Sequence, residues 1–294
     1  MRRHLRACVS VALPECWAFR PIPEKTGEVP VSSETTFIDI GDVRLRVRLD
    51  GPAAGPPLIF SNSLGAKLEM WDPQVAQFAK AFRCIRYDVR GHGESSCPRG
   101  PWSIATLAAD ALRILDTLHI HKADWIGCSM GGVVGQYLLA HHRERIGKAV
   151  LGNTAAQISL PSTDWNPRIR MAHEKGMGVI AEAMKPRWFS KRFNEANAAE
   201  VSRITDQVRE ASVAGYTACC AAIRDSDLRE AVTTISNSVL VVIGAVDPAT
   251  TPAMGEAMFR AIPGAKKFII DAAHISNCEL PDDYNKAVAA FLEG

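Results

Sequence analysis

From residue 35 onward, apolar and polar positions fall into short blocks that alternate between a period of two and a helical period. Residues 35–40, the dipeptide Gly41-Asp42 and residues 43–49 predict a β-hairpin. Its second arm, Val43-Arg44-Leu45-Arg46-Val47-Arg48-Leu49, alternates as a strand with one buried face does. Short apolar runs then predict strands at 57–61, 84–87, 123–126, 149–152, 239–243 and 267–270. Helical patterns lie between them at 71–82, where Asp72-Pro73 reads as an N-cap and first-turn pair, and at 103–118, 133–141 and 281–292. Strands that alternate with helices argue for a mainly parallel sheet with helices on both faces, an α/β architecture. The alternation stops at 153–237, where helices are predicted at 166–184, 198–211 and 215–224. An all-helical insertion between two sheet strands reads as a lid over the carboxyl edge of the sheet, where open α/β sheets bind ligands. The predicted organisation is therefore a core of 34–152 plus 238–294, a lid of 153–237 and an N-terminal extension of 1–33.

Composition leaves this picture standing and removes others. The chain has 294 residues, 47% of them hydrophobic and 22% charged, enough for a large soluble core. A formal net charge of +2, with no dense basic block, gives no case for nucleic acid. No apolar run reaches the roughly 18 residues that a membrane helix needs. The eight cysteines are scattered without C-x-x-C spacing, so reduced cytoplasmic thiols are expected rather than a disulfide framework or a metal site. Residues 1–33 show no periodicity. Arg2, Arg3 and Arg6 before a short apolar stretch imitate a secretory leader, but Pro14 and Glu15 interrupt it. A disordered extension, or a start placed too far upstream, is the expectation there.

The chemistry begins at Gly127-Cys128-Ser129-Met130-Gly131-Gly132. It reads G-x-S-x-G between a strand pattern and a helix pattern, the context in which a sharp turn exposes a nucleophilic serine. A Cβ at Gly127 or Gly131 would crowd such a turn, and the start of the following helix aims N–H groups at the serine. A nucleophilic serine needs a base, and the base needs an orienting acid, in the order Ser, Asp or Glu, His. Asp247 follows the strand ending at 243–244, and His274 follows the strand at 267–270. Alone, Asp247 before Pro248 reads as a turn aspartate and His274 as a surface-loop histidine. In this order and at strand ends, they become the predicted acid and base for Ser129. His173, in the predicted lid, is the rival base. The loop Ser61-Asn62-Ser63-Leu64-Gly65 after an early strand predicts a Leu64 N–H that partners the Met130 N–H in an oxyanion hole. The turn at 88–95 is glycine-rich but lacks the Lys-Ser/Thr ending of a phosphate loop, and reads as structural.

These stretches, with Met70-Trp71-Asp72, Arg86-Tyr87-Asp88, Gly152-Asn153-Thr154-Ala155-Ala156 and Ala273-His274-Ile275-Ser276-Asn277, follow one pattern in order. From about residue 35 to the C-terminus the chain resembles the 3-oxoadipate enol-lactonases of the α/β-hydrolase superfamily. The Ser-Asn-Ser-Leu-Gly, Asn-Thr-Ala-Ala and His-Ile-Ser-Asn stretches carry the more specific part of that resemblance. It implies hydrolysis of 3-oxoadipate enol-lactone in the β-ketoadipate pathway of aromatic catabolism, in the cytoplasm, with neither metal nor organic cofactor. The N-terminal extension is outside the pattern, and Asp247-Pro248-Ala249-Thr250-Thr251-Pro252 departs from it slightly. A substrate that carries a carboxylate calls for a cation, so Trp165 and Arg168 at the start of the lid, and Trp188 further on, are the expected substrate contacts. An esterase, perhydrolase or C–C hydrolase would use the same triad, and a ligand-binding receptor could retain it with very slow turnover. Nothing in the pattern sets an oligomeric state.

Overall fold

The computed structural model describes residues 33–158 and 165–294. The predicted extension lies outside these residues, apart from Ser33, which already belongs to the first strand. β1 (Ser33–Ile40) and β2 (Val43–Asp50) form the predicted hairpin, with Ile40 opposite Val43. The chain continues through β3 (Pro57–Ser61), α1 (Asp72–Phe78), β4 (Arg83–Tyr87), α2 (Ile104–Thr117), β5 (Ala123–Cys128), α3 (Met130–His141) and β6 (Ile146–Gly152). Five helices follow: α4 (Trp165–Lys175), α5 (Met177–Trp188), α6 (Lys191–Ala196), α7 (Ala198–Arg209) and α8 (Val213–Arg224). The chain ends with β7 (Val239–Gly244), α9 (Pro252–Ala261), β8 (Lys266–Ile270), α10 (Ser276–Glu279) and α11 (Pro281–Glu293).

The eight strands form one sheet in the order β1-β2-β4-β3-β5-β6-β7-β8. β1, β2 and β4 pair antiparallel, and every pair from β4 to β8 is parallel. After β3 the chain runs outward to β4, then crosses back to place β5 on the other side of β3. The order reverses there, so a crevice opens beyond the carboxyl ends of β3 and β5. The central strands are buried on both faces, and all six residues of β7 are buried, as expected of parallel strands covered by helices. The helices lie on both faces of the sheet.

Several local readings need correction. Asp72 does not cap α1: it is the first helical residue, and Arg86 Nη1 donates to its carboxylate at 2.6 Å. α1 ends at Phe78, four residues before the expected end. The long lid helix predicted at 166–184 is two helices, broken at Gly176, whose φ of 75° lies in the left-handed region. α6, α9 and α10 were not predicted. Ser103, expected as the first helical residue, is instead the N-cap of α2, in a reciprocal capping box with Thr106. The turn at 88–95 is held by its own charged side chains: Asp88 accepts from Leu68 N at 2.8 Å and Glu94 N at 3.0 Å, and Arg90 forks onto Asp110. The six described cysteines are unpaired. Among the described residues no helix is long and apolar enough to cross a membrane.

Candidate active site

β5 carries the chain straight into the elbow. Ser129 has φ 54° and ψ −112°, a left-handed backbone that a residue with a Cβ adopts only when its surroundings enforce it. The enforcement is visible: Ser129 N donates to Gly152 O at 2.9 Å, and Ser129 O accepts from Thr154 Oγ1 at 2.9 Å and Val133 N at 3.0 Å. A Cβ on Gly127 would stand 2.2 Å from Gly131 O, and one on Gly131 would stand 2.1 Å from Ser61 O. Both glycines are thus required by close approach of backbone. Gly131 N also donates to Asn62 O at 3.0 Å, which ties the elbow to the loop after β3. That loop brings Leu64 beside Ser129 in the same cavity. Met130 opens α3, so its N–H has no acceptor within the helix. Among the described residues neither the Leu64 nor the Met130 N–H has a protein acceptor.

Asp247 lies three residues beyond the end of β7, and His274 in the loop after β8. His274 Nδ1 is 2.9 Å from Asp247 Oδ2. The carboxylate is almost wholly buried, at 2% exposure. Its Oδ1 accepts from Ala249 N at 2.7 Å and Thr250 N at 3.0 Å, and its Oδ2 also accepts from Thr250 Oγ1 at 2.7 Å and Asn153 Nδ2 at 3.2 Å. Burial alone would raise its pKa. The imidazole of His274 and the Thr250 donors outweigh burial and hold it below the ordinary carboxylate range. Asn153, at the end of β6 with φ 47°, is itself oriented: its Nδ2 donates to Ala273 O at 3.0 Å and its Oδ1 accepts from Ser276 Oγ at 2.5 Å. Sequence reasoning missed Thr250 and Asn153 as partners of the acid, and Ser276 as the residue that orients Asn153. The signal was present, because two of them lie inside the Asn-Thr-Ala-Ala and His-Ile-Ser-Asn stretches.

Ser129 and His274 line one cavity with Ser63, Leu64, Ala249 and Thr250 from the core. The helices between β6 and β7 contribute Trp165, Arg168, Met184, Arg187 and Trp188, so Trp165, Arg168 and Trp188, the three expected substrate contacts, all line the cavity. Among the described residues no hydrogen bond joins Ser129 Oγ to His274 Nε2; such contacts in free enzymes commonly tighten only around a substrate. The cavity is narrow, with about 30 Å³ open to the centre of a water molecule. The Trp165 indole N–H is buried without an acceptor, and the Arg168 guanidinium lies 4.9 Å from the Trp165 ring centre. Arg168 has no carboxylate partner among the described residues. His173 is exposed on α4 and does not line the cavity. Arg187 and Met184 are cavity residues that the sequence reading did not select.

The family model described as alpha/beta hydrolase fold matches residues 56–279. The chain belongs to that family. It is 40% identical over 265 residues to 3-oxoadipate enol-lactonase 2 of Acinetobacter baylyi, covering 90% of this chain and 99% of the relative. A second Acinetobacter baylyi protein, 3-oxoadipate enol-lactonase 1, is 34% identical, with 85% of this chain and 93% of the relative covered. The crystal structure of the enol-lactonase from Burkholderia xenovorans LB400 superposes with a TM-score of 0.86 at 41% identity, over 88% of this chain and all (100%) of that one.

In this alpha/beta hydrolase the end of α5 is fastened to the histidine loop. Ile275 N donates to Trp188 O at 2.9 Å. The buried Glu279 carboxylate accepts from Ser190 N and Ala273 N, each at 3.0 Å, and from the Ser190 hydroxyl. One carboxylate thus grips the chain just before His274 and the chain just after Trp188.

Proposed function

We propose that this enzyme hydrolyses 3-oxoadipate enol-lactone to 3-oxoadipate, with Ser129 as nucleophile, His274 as general base and then acid, and Asp247 as the carboxylate that orients His274. The observation that carries the reading is the cavity at the elbow. There the reactive serine and histidine face lid side chains that offer hydrogen-bond donors, Arg168 and the Trp165 N–H, to a small anion. The 40% identity to 3-oxoadipate enol-lactonase 2 supports the choice of anion.

With Nδ1 facing Asp247, the other imidazole nitrogen is the one free to take the Ser129 proton. Ser129 Oγ attacks the lactone carbonyl, and the Leu64 and Met130 N–H groups receive the oxyanion. Collapse of the tetrahedral species breaks the ring C–O bond. The enol oxygen takes the proton from His274 and the enol tautomerises to the ketone, while the acyl group stays on Ser129. His274 then deprotonates a water, which cleaves the acyl-enzyme and releases the second carboxylate. Asp247, held ionised by its donors, stabilises the imidazolium in both halves. Arg168 and Trp165 hold the carboxylate that the substrate already carries, and Trp188 walls the pocket. On this reading 34–152 and 238–294 are the catalytic core and 153–237 the lid, acting on a cytoplasmic metabolite.

The test follows loss of the enol-lactone by absorbance with the wild-type protein and Ser129→Ala. Multiple turnover by the wild type alone supports the assignment. A wild-type protein that cleaves simple esters but leaves this lactone intact removes the lactone and leaves the serine hydrolase.

A further inference from the structure

Arg187 stands in the last turn of α5, half-buried, and lines the cavity together with Ser129, His274 and Arg168. Among the described residues its guanidinium has no ion pair and no hydrogen bond. Neither the acid on its own helix nor the acid at the site is left to pair with it. Glu182, on the same helix, pairs with Lys185 and with Arg209, both at 2.8 Å. Asp247 is saturated by His274, Thr250, Ala249 and Asn153. Arg187 is also not free to drift, because the next residue, Trp188, is tied through its carbonyl to Ile275, and Ser190 is held by Glu279.

Two guanidinium groups therefore share one cavity wall. Burial, and next the positive charge of Arg168, push the Arg187 pKa down. A charge taken out of water without a counter-ion is unfavourable, and a like charge beside it adds to the cost. A single ligand carboxylate relieves both, since its two oxygens can each accept from a separate guanidinium fork.

We propose that Arg187 is a specificity-determining residue: with Arg168 it forms a two-arginine clamp for the carboxylate of the substrate, so that the site selects anionic over neutral acyl compounds. The proposal rests on the enol-lactone reading, but its test does not depend on it alone. Arg187 acts on binding, and the proton transfers remain with His274.

The experiment compares wild type, Arg187→Gln and Arg187→Lys on the enol-lactone and on its neutral methyl ester. It also measures competitive inhibition by adipate of the hydrolysis of a neutral p-nitrophenyl ester. Arg187→Gln should lower the ratio of kcat/KM for anion over neutral ester by about tenfold or more, chiefly through KM, and weaken adipate by a similar factor. Arg187→Lys, which keeps the charge and loses the fork, should recover part of both effects. A correctly folded Arg187→Gln, judged by its thermal midpoint, with an unchanged ratio and unchanged adipate inhibition would overturn the clamp. If the wild type leaves the lactone intact, the enol-lactonase reading falls. The adipate measurement still decides whether Arg187 recognises a carboxylate.

Discussion

Replacing Asp247 by asparagine isolates the orienting role of the acid with almost no change in shape. In the wild type, five donors converge on this carboxylate: two backbone N–H groups on Oδ1, and Thr250 Oγ1, Asn153 Nδ2 and His274 Nδ1 on Oδ2. An asparagine has one acceptor oxygen, and the Ala249 and Thr250 N–H groups fix where it must sit. Its NH2 then faces His274, so Nδ1 must become an acceptor and the ring proton moves to the nitrogen that faces Ser129. Asn153 cannot turn over to compensate, because Ala273 O and Ser276 Oγ already define which way its amide points. The wrong tautomer cannot accept the serine proton. A loss in kcat of about 10⁴-fold is expected for this kind of exchange, or about 5 kcal/mol of transition-state stabilisation. The assay is lactone turnover at saturating substrate, with circular dichroism and the thermal midpoint as controls for folding. A folded Asp247→Asn enzyme within about tenfold of wild-type kcat would refute the assigned role.

Arg168→Ala should raise KM for the anionic lactone about tenfold or more, worth about 1.4 kcal/mol; an unchanged KM in steady-state kinetics removes Arg168 from the binding site. Gly131→Ala puts a methyl group 2.1 Å from the Ser61 carbonyl oxygen, and backbone on both sides leaves little room to yield. It should cost about 3 kcal/mol or more in chemical denaturation and abolish turnover, and wild-type stability would contradict the packing described for the elbow. His92 is wholly buried with an unpartnered Nε2, and burial pushes its pKa down to about 4. The unfolded chain takes up this proton near pH 6.5 and the folded chain only near 4. Stability should therefore fall as the pH drops through that window, by about 3 kcal/mol from this residue. His92→Gln should flatten that part of the profile in urea titrations, and an unaltered slope would count against the assignment.

Much of the frame was legible in the sequence because the physics that forms it is local. A strictly alternating arm between Val43 and Leu49, or a six-residue apolar run at Val239–Gly244, leaves a strand few alternatives. The glycines at 127 and 131 could be read for the same reason, since a tight turn states its steric demand in its own residues. What escaped was set by distant contacts. Asp72 looked like a cap until Arg86, brought alongside by β4, took its carboxylate. Gly176 was read through as a helix residue, although its left-handed φ of 75° ends α4 there. Arg187 carries no local mark at all. Its neighbour Lys185 pairs with Glu182 outside the cavity, while Arg187 faces inward, and only the three-dimensional path of α5 separates the two.

The grip of Glu279 on Ser190 and Ala273 bears on how such enzymes can be recombined. A graft that exchanged the insertion but kept the native histidine loop would depend on a foreign residue to meet a buried carboxylate. If the graft supplied no donor, the carboxylate would be left partly unpaired at the base of the site. The chain from Trp188 to Ser190 and the chain from Ala273 to Glu279 therefore form one inheritable unit, far apart in sequence. Substrate preference in the cap and the placing of the base should change hands together when this scaffold is diversified, and chimaeras cut to respect that unit are the ones expected to stay active.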